Sequence, residues 1–257
     1  MKIVVCLKQV VTRDCAARPD GARPWIRDAD ASFEMNEPDA YALEAALRLK
    51  EAHGGEVVAV SAGPARVAQV LREALARGAD RAVHVASDAL AEADAFVVAD
   101  ALAEAVRPEA PDLVLTGLQS DDQGFGQVGV VLAERLDLAH ATIIMDVQVD
   151  GDGLRVKREL EGGWFQWMAL PRPALLTIQS GINQLRYATL KGIMAAKKKP
   201  LTTVEAPPPR PRQRIRTLAA PGKERQTTMI EGTPAEAARE LVRALREDAR
   251  IIEGGSR

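Results

Sequence analysis

Several residues that mark common function classes are scarce in this sequence. Cys6 and Cys15 are its two cysteines, too few for a disulfide framework. Its three histidines, His53, His84 and His140, are scattered, and none stands at metal-ligand spacing from another histidine or a cysteine, so no metal site is expected. His84 alternates with valines and reads as a satisfied sheet residue. A net charge of −2 gives no overall attraction to nucleic acid or to an anionic membrane surface. No apolar run approaches the roughly 20 residues needed to span a bilayer, so no direct membrane insertion is expected. The first residues, "MKIVVCLKQV", carry neither a small-residue cleavage site nor an Arg/Ser-rich leader. The expectation is a cytoplasmic, prokaryotic protein without a targeting segment.

What is present is an ordinary globular composition, 47% hydrophobic and 27% charged over 257 residues. "KIVVCLKQV" (2–10), "EVVAVSAG" (56–63), "RAVHVA" (81–86), "DLVLTG" (112–117) and "ATIIMDVQV" (141–149) are apolar runs of strand length. Helical stretches separate them. One follows Asn36, read as its cap, with Pro38 in the first turn and Gly54 as its stop. Others follow Pro64, run from Glu92 to Val106, and begin near Gly126. Strands alternating with helices predict an α/β fold, a mostly parallel doubly wound sheet of the Rossmann-like, adenine-nucleotide-binding kind.

Beyond Val149 the pattern changes. "LRVKREL" and "WFQWMAL" flank "EGG" and predict a β-hairpin. "PALLTIQSG" reads as a further strand. Pro200 to Pro221, with "APPPRPRQR", reads as an extended arm. Residues 233–252 form an amphipathic helix capped by Thr233. The expected division is an α/β domain over 1–200, including the 150–180 extension and a 185–199 segment, then a partner-gripping arm and helix over 201–257.

In an open α/β sheet, ligands sit outside the carboxyl ends of the strands. Here those ends are Cys6-Leu7-Lys8, Ser61-Ala62-Gly63-Pro64 and Gly117-Leu118-Gln119. The last opens "GLQSDDQGFGQVG", in which Gly124, Gly126 and Gly129 spell G-x-G-x-x-G. A dinucleotide fingerprint turns directly from the first strand into a helix. These glycines instead follow the fourth strand at a distance, which argues against a nicotinamide site. Small residues before a helix N-terminus still suit a phosphate, and an ordinary tight turn would use them too. Cys6 in a buried strand is read as a core residue near a ligand. Trp164, Phe165 and Trp167 are read as core or subunit interface. Nothing forms a catalytic set, so no enzyme activity is expected.

Residues 185–200, "LRYATLKGIMAAKKKP", hold apolar residues free to face outward, followed by three lysines. From pattern alone this is either a solvated surface helix or a docking segment.

"CLKQV", "NEPDAYALEAALRLKE", "VSAGP", "ALARGADRAVHV", "DLVLTGLQSDDQGFGQVG", "VKRELEGG" and "LPRPALLTIQSGINQLRYATLKGIMAAKKKP" together resemble electron transfer flavoprotein beta subunits along the whole chain. The resemblance implies a heterodimer with an alpha subunit holding most of an FAD. It implies electron donors such as acyl-CoA dehydrogenases and a membrane quinone oxidoreductase as acceptor. It also implies a structural AMP in this subunit. The AMP contacts would fall on Cys6, on Asn36, Glu37, Pro38 and Asp39, on Ala62, and on Gly117, Leu118, Gln119, Ser120, Asp121, Asp122, Gln123, Gly124, Phe125, Gly126 and Gln127. This loop is shorter than in mitochondrial relatives. Arg13 stands near the position of a flavin-proximal tyrosine in those relatives.

In the resemblance, Arg186, Tyr187, Ala188, Thr189 and Leu190, with Ile193 and Met194, form the partner-recognition segment, and Leu190 is its anchor. Lys197, Lys198 and Lys199 would steer acidic surfaces. Alternatives are an electron-bifurcating relative with a second FAD in the AMP site, an ATP-binding universal-stress-type module, or an NAD-dependent dehydrogenase.

Overall fold

Apolar runs bounded by turn residues become strands, and the longer amphipathic stretches between them become helices. A computed structural model describes residues 1–15, 18–220 and 227–252. It comprises two compact units, Met1–Leu218 and Ala219–Arg257.

The first unit is built on a nine-stranded sheet in the order β11-β5-β4-β1-β6-β10-β7-β8-β9. Its strands are β1 (Lys2–Cys6), β4 (Glu56–Gly63), β5 (Arg81–Ala86), β6 (Leu113–Gly117), β7 (Ala139–Asp150), β8 (Gly153–Glu159), β9 (Phe165–Leu170), β10 (Ala174–Ile178) and β11 (Leu201–Glu205). The seven from β11 to β7 run parallel, and β8 and β9 add an antiparallel meander at one edge. A separate two-stranded sheet pairs β2 (Gln9–Val11) with β3 (Phe33–Met35).

Residue alternation along each strand feeds two cores. Ile3, Val5, Val57 and Leu115 pack against α1 (Glu37–His53) and α2 (Ala68–Arg77), with Leu43, Leu47, Leu71 and Leu75 fully or almost fully buried. Val4, Cys6, Val58 and Val114 face α3 (Ala95–Val106) and α4 (Val128–Leu136) on the other side. Helices on both faces of a largely parallel sheet make this a doubly wound α/β fold.

Several boundaries differ from those expected. The first strand ends at Cys6 rather than at residue 10, because the Lys8 N–H leaves the ladder to donate to Asp39 Oδ2 at 2.7 Å. Phe33–Met35, where no strand was expected, forms β3. Glu92 sits in a short 3-10 turn, and α3 starts at Ala95 with Asp94 accepting from the Val97 N–H at 2.8 Å. β10 lies inside the sheet between β6 and β7, where all five of its residues are buried. The segment after Pro200 begins as an edge strand, β11 against β5, before becoming irregular. The hairpin appears where the sequence placed it, with Glu161–Gly163 at its turn. His84 is buried, its Nε2 2.9 Å from the Gly63 carbonyl oxygen.

The second unit contains α6 (Pro234–Glu247), with Pro234 at N1 and a capping box in which Thr233 Oγ1 and Glu236 satisfy each other's backbone N–H groups. It ends five residues before the expected Ile252. Among the described residues no helix is long and apolar enough to cross a membrane.

Candidate functional site

The strand order reverses at β1, which has β4 on one side and β6 on the other. At such a switch point the connections leave in opposite directions and a crevice opens at the carboxyl ends. In this chain the crevice lies between Cys6-Leu7-Lys8, Ala62-Gly63-Pro64 and the loop from Gly117 to Gly129.

Asp39, in the first turn of α1, ties two of these ends together. Its buried carboxylate accepts the Lys8 N–H at 2.7 Å and the Gly117 N–H at 2.8 Å. Burial pushes its pKa up to about 6, although the hydrogen bonds pull the other way. The same burial, with Asp39 nearby, raises the Cys6 thiol, so Cys6 is no thiolate nucleophile at neutral pH.

Asn36 is the N-cap of α1 by position, but its side chain makes no cap hydrogen bond. Instead its Nδ2 donates to the Gln119 carbonyl at 3.0 Å and its Oδ1 accepts the Asp121 N–H at 2.9 Å. The Asp121 carboxylate in turn takes the Glu37 N–H at 3.4 Å. Helix and loop therefore brace each other, which the cap reading of Asn36 missed. Lys8 closes the loop from the strand side. Its ammonium donates to Asp122 at 2.7 Å, Gln123 at 2.9 Å and Ser120 at 3.2 Å.

The glycines have separate reasons. A Cβ on Gly117 would lie 2.5 Å from Asp39 Oδ1 and 2.7 Å from Pro38. Gly124 and Gly126 have φ of 64° and 62°, left-handed positions that let the loop double back before α4. Gly129 lets α4 approach Thr116 and Thr177 more closely than a side chain would allow.

Most of the expected nucleotide positions line this crevice: Cys6, Asn36, Asp39, Ala62, Gly117, Leu118, Gln119, Ser120, Asp122, Gln123, Phe125, Gly126 and Gln127. Glu37, Pro38, Asp121 and Gly124 stand behind it as supports. The crevice also has walls that sequence reasoning missed. Gln9, Trp25, Phe33 and Arg66 extend it on one side and Leu90, Ala93 and Val98 on another. The Arg66 guanidinium lies 4.0 Å from the Phe33 ring centroid and donates to Gln9 Oε1 at 3.2 Å. The run "SAGPAR" placed Arg66 one turn beyond a strand end, the one signal that pointed to it.

The chemistry of these walls suits a polar, anionic ligand such as a nucleotide. Gln127 stands at the N-cap of α4 without a side-chain cap bond, and its buried Oε1 has no partner among the described residues. The opening N–H groups of α4 have no acceptor within the helix. The crevice thus offers an unsatisfied acceptor, free backbone donors and, in Lys8 and Arg66, cationic side chains. Among the described residues no group of three or more His, Cys, Asp or Glu could hold a metal ion.

Arg13 pairs with Glu37 and, at 3.4 Å, with Asp121, outside the crevice beside the start of α1. The segment expected to recognise partners, residues 186–194, lies elsewhere on the first unit. Tyr187 is 90% exposed, Leu190 75% and Met194 64%, with Ile193 also exposed. Leu190 begins α5 (Leu190–Ala196), which Thr189 caps by accepting the Gly192 N–H at 3.0 Å. The Arg186 side chain turns inward to Glu44 and Glu51. Lys199 also turns inward, donating to the carbonyls of Leu75 at 3.0 Å and Ala79 at 2.6 Å. Of the three lysines expected to steer partners, it caps the end of α2 instead.

Trp164, Phe165 and Trp167 lie exposed on the edge hairpin, which removes the core reading. Lys157 stacks over Phe165 and Arg155 over Trp167, at 4.0 and 4.5 Å.

Residues 25–209 match the family described as the electron transfer flavoprotein domain. An electron transfer flavoprotein subunit beta from Methylophilus methylotrophus is 41% identical, over 96% of this chain and 98% of its own length. Proteins of the same description from Bacillus subtilis and Homo sapiens are each 37% identical. The alignments cover 88% and 80% of this chain, and 91% and 81% of those proteins.

Proposed function

This chain belongs to the electron transfer flavoprotein family as a beta subunit, and on that premise we propose that it is the half of a heterodimeric carrier with no substrate chemistry of its own. Its partner is an alpha subunit that holds most of an FAD. The pair takes electrons from dehydrogenases, acyl-CoA dehydrogenases among them, and passes them to a membrane quinone oxidoreductase.

The crevice at the ends of β1, β4 and β6 takes one AMP. The observation that carries this is the orphaned Gln127 Oε1 beside the unpaired opening of α4. The phosphate would lie against the α4 N–H groups, where the helix dipole favours an anion. The role is structural. A ligand that binds only the folded chain stabilises it by mass action, and this one would fill the space between three strand ends.

FAD supplies the electron-carrying chemistry when bound. The contribution of this chain is to shield it from water and to place Arg13, already held by Glu37 and Asp121, at the edge of its site. The exposed Tyr187, Leu190, Ile193 and Met194 form the surface that docks on dehydrogenases.

The test is to denature the purified heterodimer and identify the released nucleotides by mass spectrometry. One AMP and one FAD per heterodimer are expected. Release of FAD alone, one per heterodimer, overturns the AMP assignment. Two FAD per heterodimer would replace it with the electron-bifurcating arrangement.

A further inference from the structure

Glu44 is nearly inaccessible, at 2% exposure, although Glu37 and Glu51 on the same helix are exposed. A buried carboxylate is costly unless it is paired and hydrogen-bonded. Glu44 is both. Its Oε2 accepts the Arg186 backbone N–H at 3.2 Å and Nε at 2.9 Å. Its Oε1 accepts Arg186 Nη2 at 3.1 Å and Arg48 Nε at 2.7 Å. Burial alone would raise its pKa, but these donors hold it below the usual carboxylate range.

One face of α1 supplies the whole cradle. Residues 41, 44, 48 and 51 recur at helical spacing. The Tyr41 carbonyl accepts from Asn183 Nδ2 at 3.0 Å, and Glu51 takes the far side of the Arg186 guanidinium. Arg186 is thus held by two carboxylates and by its own main chain, immediately before Tyr187. At the other end of the segment, a Cβ on Gly192 would fall on the Ala76 carbonyl oxygen, so α5 is pressed onto α2. Between these two fixed points the chain presents Tyr187 and Leu190 outward.

We propose that Glu44 is a positioning residue for electron-donor docking: by gripping Arg186 it holds residues 185–190 in the one conformation that projects Tyr187 and Leu190 together. This rests on the reading of that segment as the docking surface. Arg186, in this view, acts inward as the arm by which α1 holds the segment. Glu51 and Arg48 are more exposed and serve as outer partners.

The test uses the flavin-loaded heterodimer with Glu44→Gln, which keeps the size of the side chain and removes its charge. Two quantities are read together. One is the amide hydrogen exchange of residues 185–190; the other is KM and kcat for the heterodimer as acceptor with a purified acyl-CoA dehydrogenase. Exchange at least tenfold faster and a KM raised at least fivefold, with kcat and flavin content at wild type, are the expected result. Either quantity remaining at wild type overturns the proposal. Should Glu44→Gln fail to fold, Glu44→Asp shortens the carboxylate and loosens the same grip on Arg186, with the same outcomes. Leu190→Ala serves as the control. If it leaves KM unchanged, the docking reading fails by itself, and the exchange measurement still decides whether Glu44 holds the segment.

Discussion

The Asp39 carboxylate accepts the Gly117 N–H at 2.8 Å, which couples the first turn of α1 to the end of β6 across 78 residues of sequence. Position 117 has no room for a side chain, because a Cβ would lie 2.5 Å from Asp39 Oδ1 and 2.7 Å from the Pro38 main chain. Gly117→Ala must therefore push α1 away from the strand end. Overpacking of this kind costs about 1–3 kcal/mol. Denaturant unfolding should show that loss, together with weaker nucleotide retention. A variant with unchanged midpoint and nucleotide content would contradict the coupling.

Asp39 also gives a pH signature. Its folded-state pKa of about 6 lies above the ordinary value of 3.8. The folded chain therefore holds this proton more tightly than the unfolded chain does. The stability it contributes is complete below about pH 4 and is lost as pH rises through about 6. Asp39→Asn cannot accept both N–H groups, so it should be less stable at neutral pH, by about 1–3 kcal/mol. It should also lack the decline between pH 4 and 6. The check is the difference between the two stability curves across that range. Parallel curves would show that Asp39 does not titrate there.

The parallel strands β1, β4, β5, β6, β7 and β10 were legible because each is a continuous apolar run between turn residues, and the hairpin because "EGG" interrupts two alternating stretches. Relationships that cross the chain were not legible. Asn36 reads as a cap, yet its side chain is taken by a loop 83 residues away. Lys8 reads as part of a strand until Asp39 draws its N–H out of the ladder. Glu44 looks like any solvated helix acid, since its burial depends on an arginine 142 residues later. β11 was hidden because the prolines after it suggested an arm from the start. Of the crevice, the strand ends were found from position alone. Arg66 and Phe33 were missed because their stacking brings the turn after β4 onto β3, a contact that neither stretch shows by itself.

The loop latch is open to a simple substitution. Lys8 Nζ holds Ser120, Asp122 and Gln123 at once, and Lys8→Met keeps the length while removing all three bonds. Each charge-assisted bond of this partly exposed kind is worth at most about 1 kcal/mol. The melting temperature should therefore fall only slightly. Nucleotide dissociation should accelerate several-fold, because the loop that closes the crevice loses its strand-side tether. Equal off-rates for variant and wild type, measured by displacement of a fluorescent adenine nucleotide, would show that the loop is held by Asn36 alone.

The two compact units predict how truncation behaves. Leu201–Glu205 is hydrogen-bonded to β5, so deleting from residue 201 would strip an edge strand from the sheet. Deleting 219–257 removes only the second unit. Association with the alpha subunit should then weaken, because α6 is an amphipathic helix carrying the apolar Leu241 and Val242 in a unit too small to cover them. Co-purification of the truncated chain with a tagged alpha subunit, at wild-type flavin content, would rule out a role for the second unit in assembly.

Leu190 is the sharpest test of the docking surface. It is 75% exposed at the first residue of α5, so it has few contacts within the chain to lose. A buried leucine truncated to alanine costs about 2–5 kcal/mol of folding stability, and that penalty is not expected here. Burial of the same side chain in a partner pocket is worth about 2 kcal/mol, which is about 30-fold in affinity. Leu190→Ala should therefore raise KM with an acyl-CoA dehydrogenase by about that factor and leave flavin content and melting temperature at wild type. Tyr187, the more exposed of the pair at 90%, provides the comparison. Tyr187→Ala should weaken the same step, because both side chains project from one short segment pinned at Arg186 and at Gly192. Stopped-flow electron transfer together with thermal unfolding of both variants separates the outcomes. A large fall in melting temperature for Leu190→Ala would make it a packing residue, and unchanged transfer in both variants would move the docking surface elsewhere.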